Sequence, residues 1–198
     1  MNFSTKYGSG NSKYCYPNSD VLINKQNIRD YNLLEEADSR YTTQRLLELQ
    51  TNPIEGNFDL DHVKNIHYYI FQDLYYFAGK LREEDIIKGN THFAKYQYIE
   101  TSAIKLFEEL KEENYLIGTS FNQFSEKASY YMAELNIIHP FREGNGRTIR
   151  EFIKILALKN GYQIKWNSIN QKTLFKASVE SVLNLDPLIK CIKGAIKS

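Results

Sequence analysis

Apolar residues recur every three or four positions along most of the chain, the spacing that gathers them on one face of a helix. Leu33, Leu34, Ala37, Leu46, Leu47 and Leu49 predict a first helix. Val63, Ile66, His67, Ile70, Leu74 and Phe77 predict a second. Asp59 suits its N-cap, because a short carboxylate accepts from the first unpaired N–H groups of a helix. Ala103, Ile104, Phe107 and Leu110 mark a third helix, and Phe121, Phe124, Ala128, Tyr131, Met132 and Leu135 a fourth. Ile149, Phe152, Ile153 and Leu156 mark a fifth, stopped at Asn160 and Gly161. One or two further helices follow, divided near Pro187, a residue that fits the first turn of a helix.

One segment departs from this period. Between Gly79 and Tyr98, the pair Ile86 and Ile87 precedes Lys88, Gly89 and Asn90, then Phe93, which predicts a small β-hairpin or extended flap. Residues 1–20 are polar and rich in Gly, Ser and Asn, so they are read as an N-terminal tail, with one domain over residues 21–198. The expected fold class is all-α, a helical bundle carrying one hairpin. At 198 residues such a domain buries a core without disulfides or metal.

Charge narrows the partners little. Twenty-five basic residues against 24 acidic ones leave a net charge of +1, which favours neither nucleic acid nor an acidic membrane surface. Cys15 and Cys191 have neither disulfide-framework nor metal-ligand spacing, which suits a reducing, cytoplasmic setting. The chain start lacks a secretory pattern, and no apolar run reaches the roughly 20 residues needed to span a bilayer. His62 and His67 are five apart, not the four that aligns zinc ligands on a helix, and His67 reads as a core residue. Trp166 reads as packing.

The candidate chemistry lies in the run His139 to Arg150, HPFREGNGRTIR. Gly144, Asn145 and Gly146 can turn successive N–H groups toward one point, and the helix that starts there adds positive potential, a combination suited to phosphate. Arg147 and Arg150, three apart on that helix, flank the anion hole. Glu143 is placed to share a magnesium ion with bound phosphate, since Mg²⁺ needs only one or two carboxylates beside phosphate oxygens and water. His139 closes the preceding apolar run, and nearby arginines together with a helix N-terminus favour the neutral ring that a general base needs. No GxxxxGK[ST] loop is present, which removes the common nucleotide-hydrolase explanation.

This run resembles the signature of the Fic (filamentation induced by cAMP) family, H-x-F-x-D/E-G-N-G-R-x-x-R, at every defined position. The stretch from Asn52 to Gly89 resembles the family's lead into its flap, so the likeness covers roughly residues 30–190. The resemblance implies a Fic-fold helical bundle with its hairpin near the active site, and transfer of AMP from Mg-ATP to Tyr, Thr or Ser hydroxyls of target proteins, itself included, with release of pyrophosphate. It further implies that His139 is the base, that Glu143 holds Mg²⁺, and that Gly144, Asn145 and Gly146 bind phosphates. Arg147 and Arg150 would clamp the β and γ phosphates, Phe141 would anchor the loop, and Ile86, Ile87, Lys88, Gly89 and Asn90 would pair with the target as an added strand. Phe175 and Asn184 fall where relatives contact adenine.

The alternatives are transfer of another nucleotide or phosphate-containing group, and a non-catalytic nucleotide-binding or toxin interaction module. A kinase-like branch of the family carries Lys in place of Gly146, so the glycine favours AMP transfer. Many relatives are restrained by a helix bearing S/T-x-x-x-E-G/N. Its literal match here, Thr51 to Gly56, contains Pro53, which disfavours a helix, and Glu35 and Glu36 lack the required hydroxyl residue. Control is therefore expected from an antitoxin-like inhibitor or from homo-oligomerisation, with no nucleic acid or membrane partner.

Overall fold

The computed structural model describes residues 12–88 and 91–197. Seven α-helices occur among them: α1 (Tyr31–Thr51), α2 (Leu60–Phe71), α3 (Ile99–Glu112), α4 (Phe121–Ile138), α5 (Asn145–Lys159), α6 (Gln171–Glu180) and α7 (Asp186–Ala195). Their ends follow local chemistry. Asp30 and Asp59 cap α1 and α2 by accepting from Leu33 N and His62 N, and Ser120 and Gln123 form a reciprocal capping box on α4. Asn160 ends α5 just before Gly161 at φ +78°, and Pro187 lies in the first turn of α7.

Helix α5 is the centre of the bundle, with α2 and α4 packed along it and α7 against α4. Ile149, Phe152, Ile153 and Leu156 are all 0% exposed, so the inward face runs the length of the helix and fixes its first turn, where the candidate chemistry sits. Burying one such side chain stabilises the fold by about 1.5–3 kcal/mol.

Two expected helices differ in detail. Helix α2 stops at Phe71, although Leu74 and Phe77 are buried as the period required. Beyond Phe71 the chain enters turns, because its groups are claimed from outside the helix. Lys25 N bonds Leu74 O (2.9 Å), and Arg45 of α1 grips Asp73 through two nitrogens (2.7 and 2.9 Å). In α1, Leu33 and Leu47 point outward at 57% exposure each. The inward stripe instead contains Asp38 and Thr42, two polar residues whose use appears at the site.

The predicted hairpin is present as β1 (Ile87–Lys88) paired antiparallel with β2 (Thr91–His92), in the register Ile87 to His92 and Lys88 to Thr91. Ile86, expected within the flap, precedes the strand and is buried, while Gly89 and Asn90 lie outside the described residues. A second pair, β3 (Gln163–Ile164) with β4 (Ile196–Lys197), ties the chain after α5 to the end of α7. Two-residue strands carry no alternation for the sequence to reveal. From Ser12 onward the N-terminal segment is attached: Cys15 bridges Leu22, and Tyr14 packs edge-on to Phe77 at 5.5 Å.

Candidate active site

Helix α4 ends at Ile138, and His139 follows in the left-handed conformation (φ +48°), with its N–H bonded to Leu135 O at 2.9 Å. A non-glycine residue in that region costs about 1–3 kcal/mol and persists only where its surroundings over-determine it. Here they do. The His139 ring stacks on Phe93, which follows β2, with centroids 3.8 Å apart, and its carbonyl accepts from the buried Arg82 at 2.8 Å.

His139 Nδ1 lies 3.2 Å from Asn136 O. A carbonyl only accepts, so Nδ1 carries the proton and the lone pair lies on Nε2. Burial first, then the charges of Arg82 and Lys88, lowers the ring from its ordinary 6.5 to about 4, against an opposing pull from Asn136 O and Glu143. The neutral ring expected from the sequence is therefore maintained mainly by burial, and by Arg82 and Lys88 rather than the arginines of the motif.

The loop after His139 is braced from beneath. Phe141 is 0% exposed and stacks on His67 (3.8 Å, 9°). Gly79 N donates to His67 Nδ1 at 2.8 Å, so Nε2 bears the proton and donates to Glu143 O at 3.0 Å. His67, read as a core histidine, is one, and it also suspends the Glu143 backbone. The Asn145 side chain bonds Phe141 N and O (2.9 and 2.7 Å), so it ties the loop, and only its N–H is left for an anion. Gly144, at φ +82°, is the N-cap of α5, and its N–H donates to Glu143 Oε1 at 2.9 Å. The N–H groups of Asn145 and Gly146 begin the helix, where no intrahelical acceptor exists.

The two arginines separate in role. Arg147 Nη1 donates to Asp38 and, at 3.0 Å, to Thr42, and its guanidinium lies 4.6 Å over the Phe71 ring and 3.7 Å from Glu143 Oε1. Tyr75 completes the arrangement with a 3.0 Å bond to Asp38 Oδ2. The polar stripe of α1 thus receives Arg147. Arg150 lies beside Gly146, where an added Cβ would sit 3.3 Å from Arg150 Nη1, and Trp166 Nε1 holds its carbonyl at 3.1 Å. Removing the Asp38 charge with Asp38→Asn is expected to destabilise the fold by about 3 kcal/mol. That is the low end for a broken interior pair, since the Arg147 side chain keeps 23% exposure. A lower midpoint of chemical denaturation, with weakened nucleotide affinity, checks it.

His139, Glu143, Gly144, Asn145, Gly146, Arg147 and Arg150 line one cavity of about 1880 Å³, together with Lys88, Thr91 and Phe93 from the hairpin side. Phe175 also lines it, beneath Lys88 Nζ at 5.3 Å, whereas Asn184 does not. Glu143 and Glu151 are its acidic wall residues, and Glu151 is paired with Lys154 at 2.9 Å. Glu35, Glu36 and Glu55 do not reach it, and α1 ends at Thr51, so the Thr51 to Gly56 match is not a helix. Among the described residues no three His, Cys, Asp or Glu side chains form a metal cage. One carboxylate beside a phosphate cradle fits Mg²⁺ and not a protein-enclosed Zn²⁺.

Sequence reasoning missed Asp38, Thr42, Arg82 and Phe93. Asp38 and Thr42 left a trace, polar residues at stripe positions of α1; Arg82 left none, standing in a stretch without period.

His67 and His139 also set the acid response of the fold. His67 is held near 3 and His139 near 4, both chiefly by burial, below the 6.5 of an unfolded chain. Below pH 6.5 the unfolded state binds protons that the folded state refuses, so stability present above 6.5 is lost as pH falls toward 3–4. Each histidine contributes up to about 1.4 kcal/mol per pH unit across that window. Urea midpoints measured from pH 7 to 4.5 should fall, and His67→Gln should flatten the slope.

A family model described as Fic/DOC family matches residues 57–157. The chain is 43% identical to protein adenylyltransferase VbhT of Bartonella schoenbuchensis over 187 residues, 94% of this chain and 39% of that protein. It is 37% identical over 175 residues to the Escherichia coli K12 protein named "Probable protein adenylyltransferase Fic", covering 88% and 86% of the two chains. The structure is similar to the N-terminal Fic domain of a VirB-translocated Bep effector from Bartonella quintana with bound ADP. The TM-score is 0.86 at 27% identity, over 93% of this chain and 94% of that one.

Proposed function

The chain belongs to the Fic/DOC family, and from that premise we propose that it is a protein adenylyltransferase, moving AMP from ATP to a hydroxyl of a target protein. One observation carries the reading: a single cavity wall holds His139 with its lone pair on Nε2, the N-terminus of α5, and Arg150. The base and the phosphate cradle therefore face one space. Its volume of about 1880 Å³ exceeds the roughly 300–1,000 Å³ of a single small-ligand site, which suits a nucleotide and a peptide segment together.

The triphosphate lies against the N–H groups of Asn145 and Gly146, within the positive field of α5, and Arg150 compensates its negative charge. Arg147, tied to Asp38, adds charge from a fixed position. Glu143 would hold Mg²⁺, whose chemistry is to neutralise phosphate oxygens and stabilise the pyrophosphate that departs. His139 Nε2 removes the proton from the target hydroxyl as its oxygen attacks the α-phosphorus. The O–P bond forms, the bond to the bridging α,β oxygen breaks with its electron pair on pyrophosphate, and the proton resides on His139 until solvent takes it. Negative phosphate charge beside the ring stabilises the imidazolium as it forms, which offsets its low starting basicity. The exposed Ile87 and half-buried Lys88 of β1 would offer the target an edge to pair with, so main-chain bonds place the hydroxyl.

Incubation with α-labelled ATP and Mg²⁺ should label protein, whereas γ-labelled ATP should not; the reverse pattern would mean phosphate transfer. Gly146 favours the first result, because the kinase-like branch of the family carries Lys at that position. No helix of the described residues is long and apolar enough to cross a membrane. A cytoplasmic place of action, and restraint by an antitoxin-like inhibitor or by self-association, complete the reading.

A further inference from the structure

Arg82 stands in an irregular stretch between α2 and the hairpin, yet its side chain is 0% exposed. Such burial of a guanidinium requires acceptors, and the structure supplies them from three places. Nε donates to His139 O at 2.8 Å and Nη2 reaches Ile138 O at 3.3 Å, the carbonyls at the end of α4. Nη1 donates to Glu84 O at 2.7 Å on the leg entering the hairpin, and Nη2 donates to Ala94 O on the leg leaving it. The Arg82 backbone N–H bonds Pro140 O at 2.9 Å, and Ala94 N bonds Ile137 O at 3.1 Å.

These acceptors have a common feature. Ile138 and His139 present carbonyls that a helix end leaves without partners, at the negative end of its dipole. A planar fork with five donors can serve them and both hairpin legs at once, which the single ammonium of lysine cannot. Next to Ala94 stands Phe93, whose ring stacks on His139. One side chain thereby joins the base to the element expected to carry the target.

We propose that Arg82 is a positioning residue for the transfer reaction, fixing the left-handed turn at His139 and the hairpin legs in one geometry so that base and target hydroxyl meet. The proposal rests on the adenylyltransferase reading, but its geometric half does not. The phosphate cradle is braced separately, by His67 on Glu143 O and by Asn145 on Phe141. Arg82 should therefore govern turnover and leave nucleotide affinity alone.

In R82K the rate of self-labelling at saturating ATP should fall about 100-fold, the scale set by misplacing a reacting group by about 1 Å. ATP affinity by calorimetry should stay within about threefold of the unaltered protein. In ¹³C-histidine-labelled protein, the ring resonance identified by its absence in H139A should shift in R82K. Amide exchange at Ile87, Lys88, Thr91 and His92 should accelerate. Should R82K fold poorly, F93L removes the stacked ring at a half-buried position and should give the same split between rate and affinity. An unmoved His139 resonance overturns the proposal whatever the activity. Parallel losses of rate, ATP affinity and melting temperature overturn it too, since a merely structural residue does that. If H139A labels as well as the unaltered protein, the base assignment fails instead, while the resonance and exchange data still decide the positioning role.

Discussion

Replacing His139 with Ala is expected to abolish transfer of AMP from α-labelled ATP while nucleotide affinity stays within about twofold. Positioned proton transfer contributes about 10²–10⁴ in rate, and no other titratable side chain on the cavity wall has the same combination of attributes. Glu143 is committed to Gly144 N and lies beside Arg147, Glu151 is paired with Lys154, and His92 on β2 is exposed rather than buried. The His139 ring makes contact with Phe93 and Asn136 O, while the first turn of α5 is braced by the Asn145 side chain on Phe141, so removal of the ring leaves the phosphate donors in place. Calorimetry of ATP binding alongside radiolabelling checks both halves. Labelling retained in the Ala variant would remove His139 from the chemistry.

Gly144→Ala should be the most damaging methyl addition at any glycine among the described residues. Gly144 has φ +82°, and an added Cβ would meet Phe71 ring carbons at 2.1 and 2.3 Å. The left-handed conformation costs an L-residue about 1–2 kcal/mol, and overpacking a filled core adds about 1–3 kcal/mol. Phe71 is 1% exposed and carries Arg147 over its ring, so it cannot yield without moving the arginine. Relief would come from the loop itself, displacing the N–H groups at the head of α5 from the triphosphate. A melting temperature lowered by roughly 4–20 °C, for a stability loss of this size in a domain of this length, is expected together with weakened ATP binding. Gly161→Ala is the control: it shares the positive φ, but nothing lies within 4 Å of its added Cβ. Equal effects at the two glycines would show that backbone strain alone, and not the Phe71 contact, accounts for the loss.

The positions of α1 to α5 were readable because each helix repeats its apolar residues often enough for the period to emerge, while α6 and α7 were legible only as one or two helices divided near Pro187; Asp59, Gly161 and Pro187 punctuate the chain through backbone chemistry that acts locally. The hairpin was readable from its turn residues. Helix α2 ends before its apolar period does, because Leu74 and Phe77 keep the period in turns, held there by Lys25 and Arg45 from other segments. No pattern within Leu60 to Phe77 contains that information.

The site divides along the same line. The run His139 to Arg150 states its chemistry in twelve adjacent residues, since a loop that feeds a helix brings its own donors, base and carboxylate together through short-range geometry. Only the tertiary structure decided that Asp38 takes Arg147, that His67 suspends Glu143, and that Arg82 joins the end of α4 to the hairpin. Those partners lie 109, 76 and 57 positions apart in the chain, and a buried charge or carbonyl is satisfied by whatever group the packed fold brings within about 3 Å.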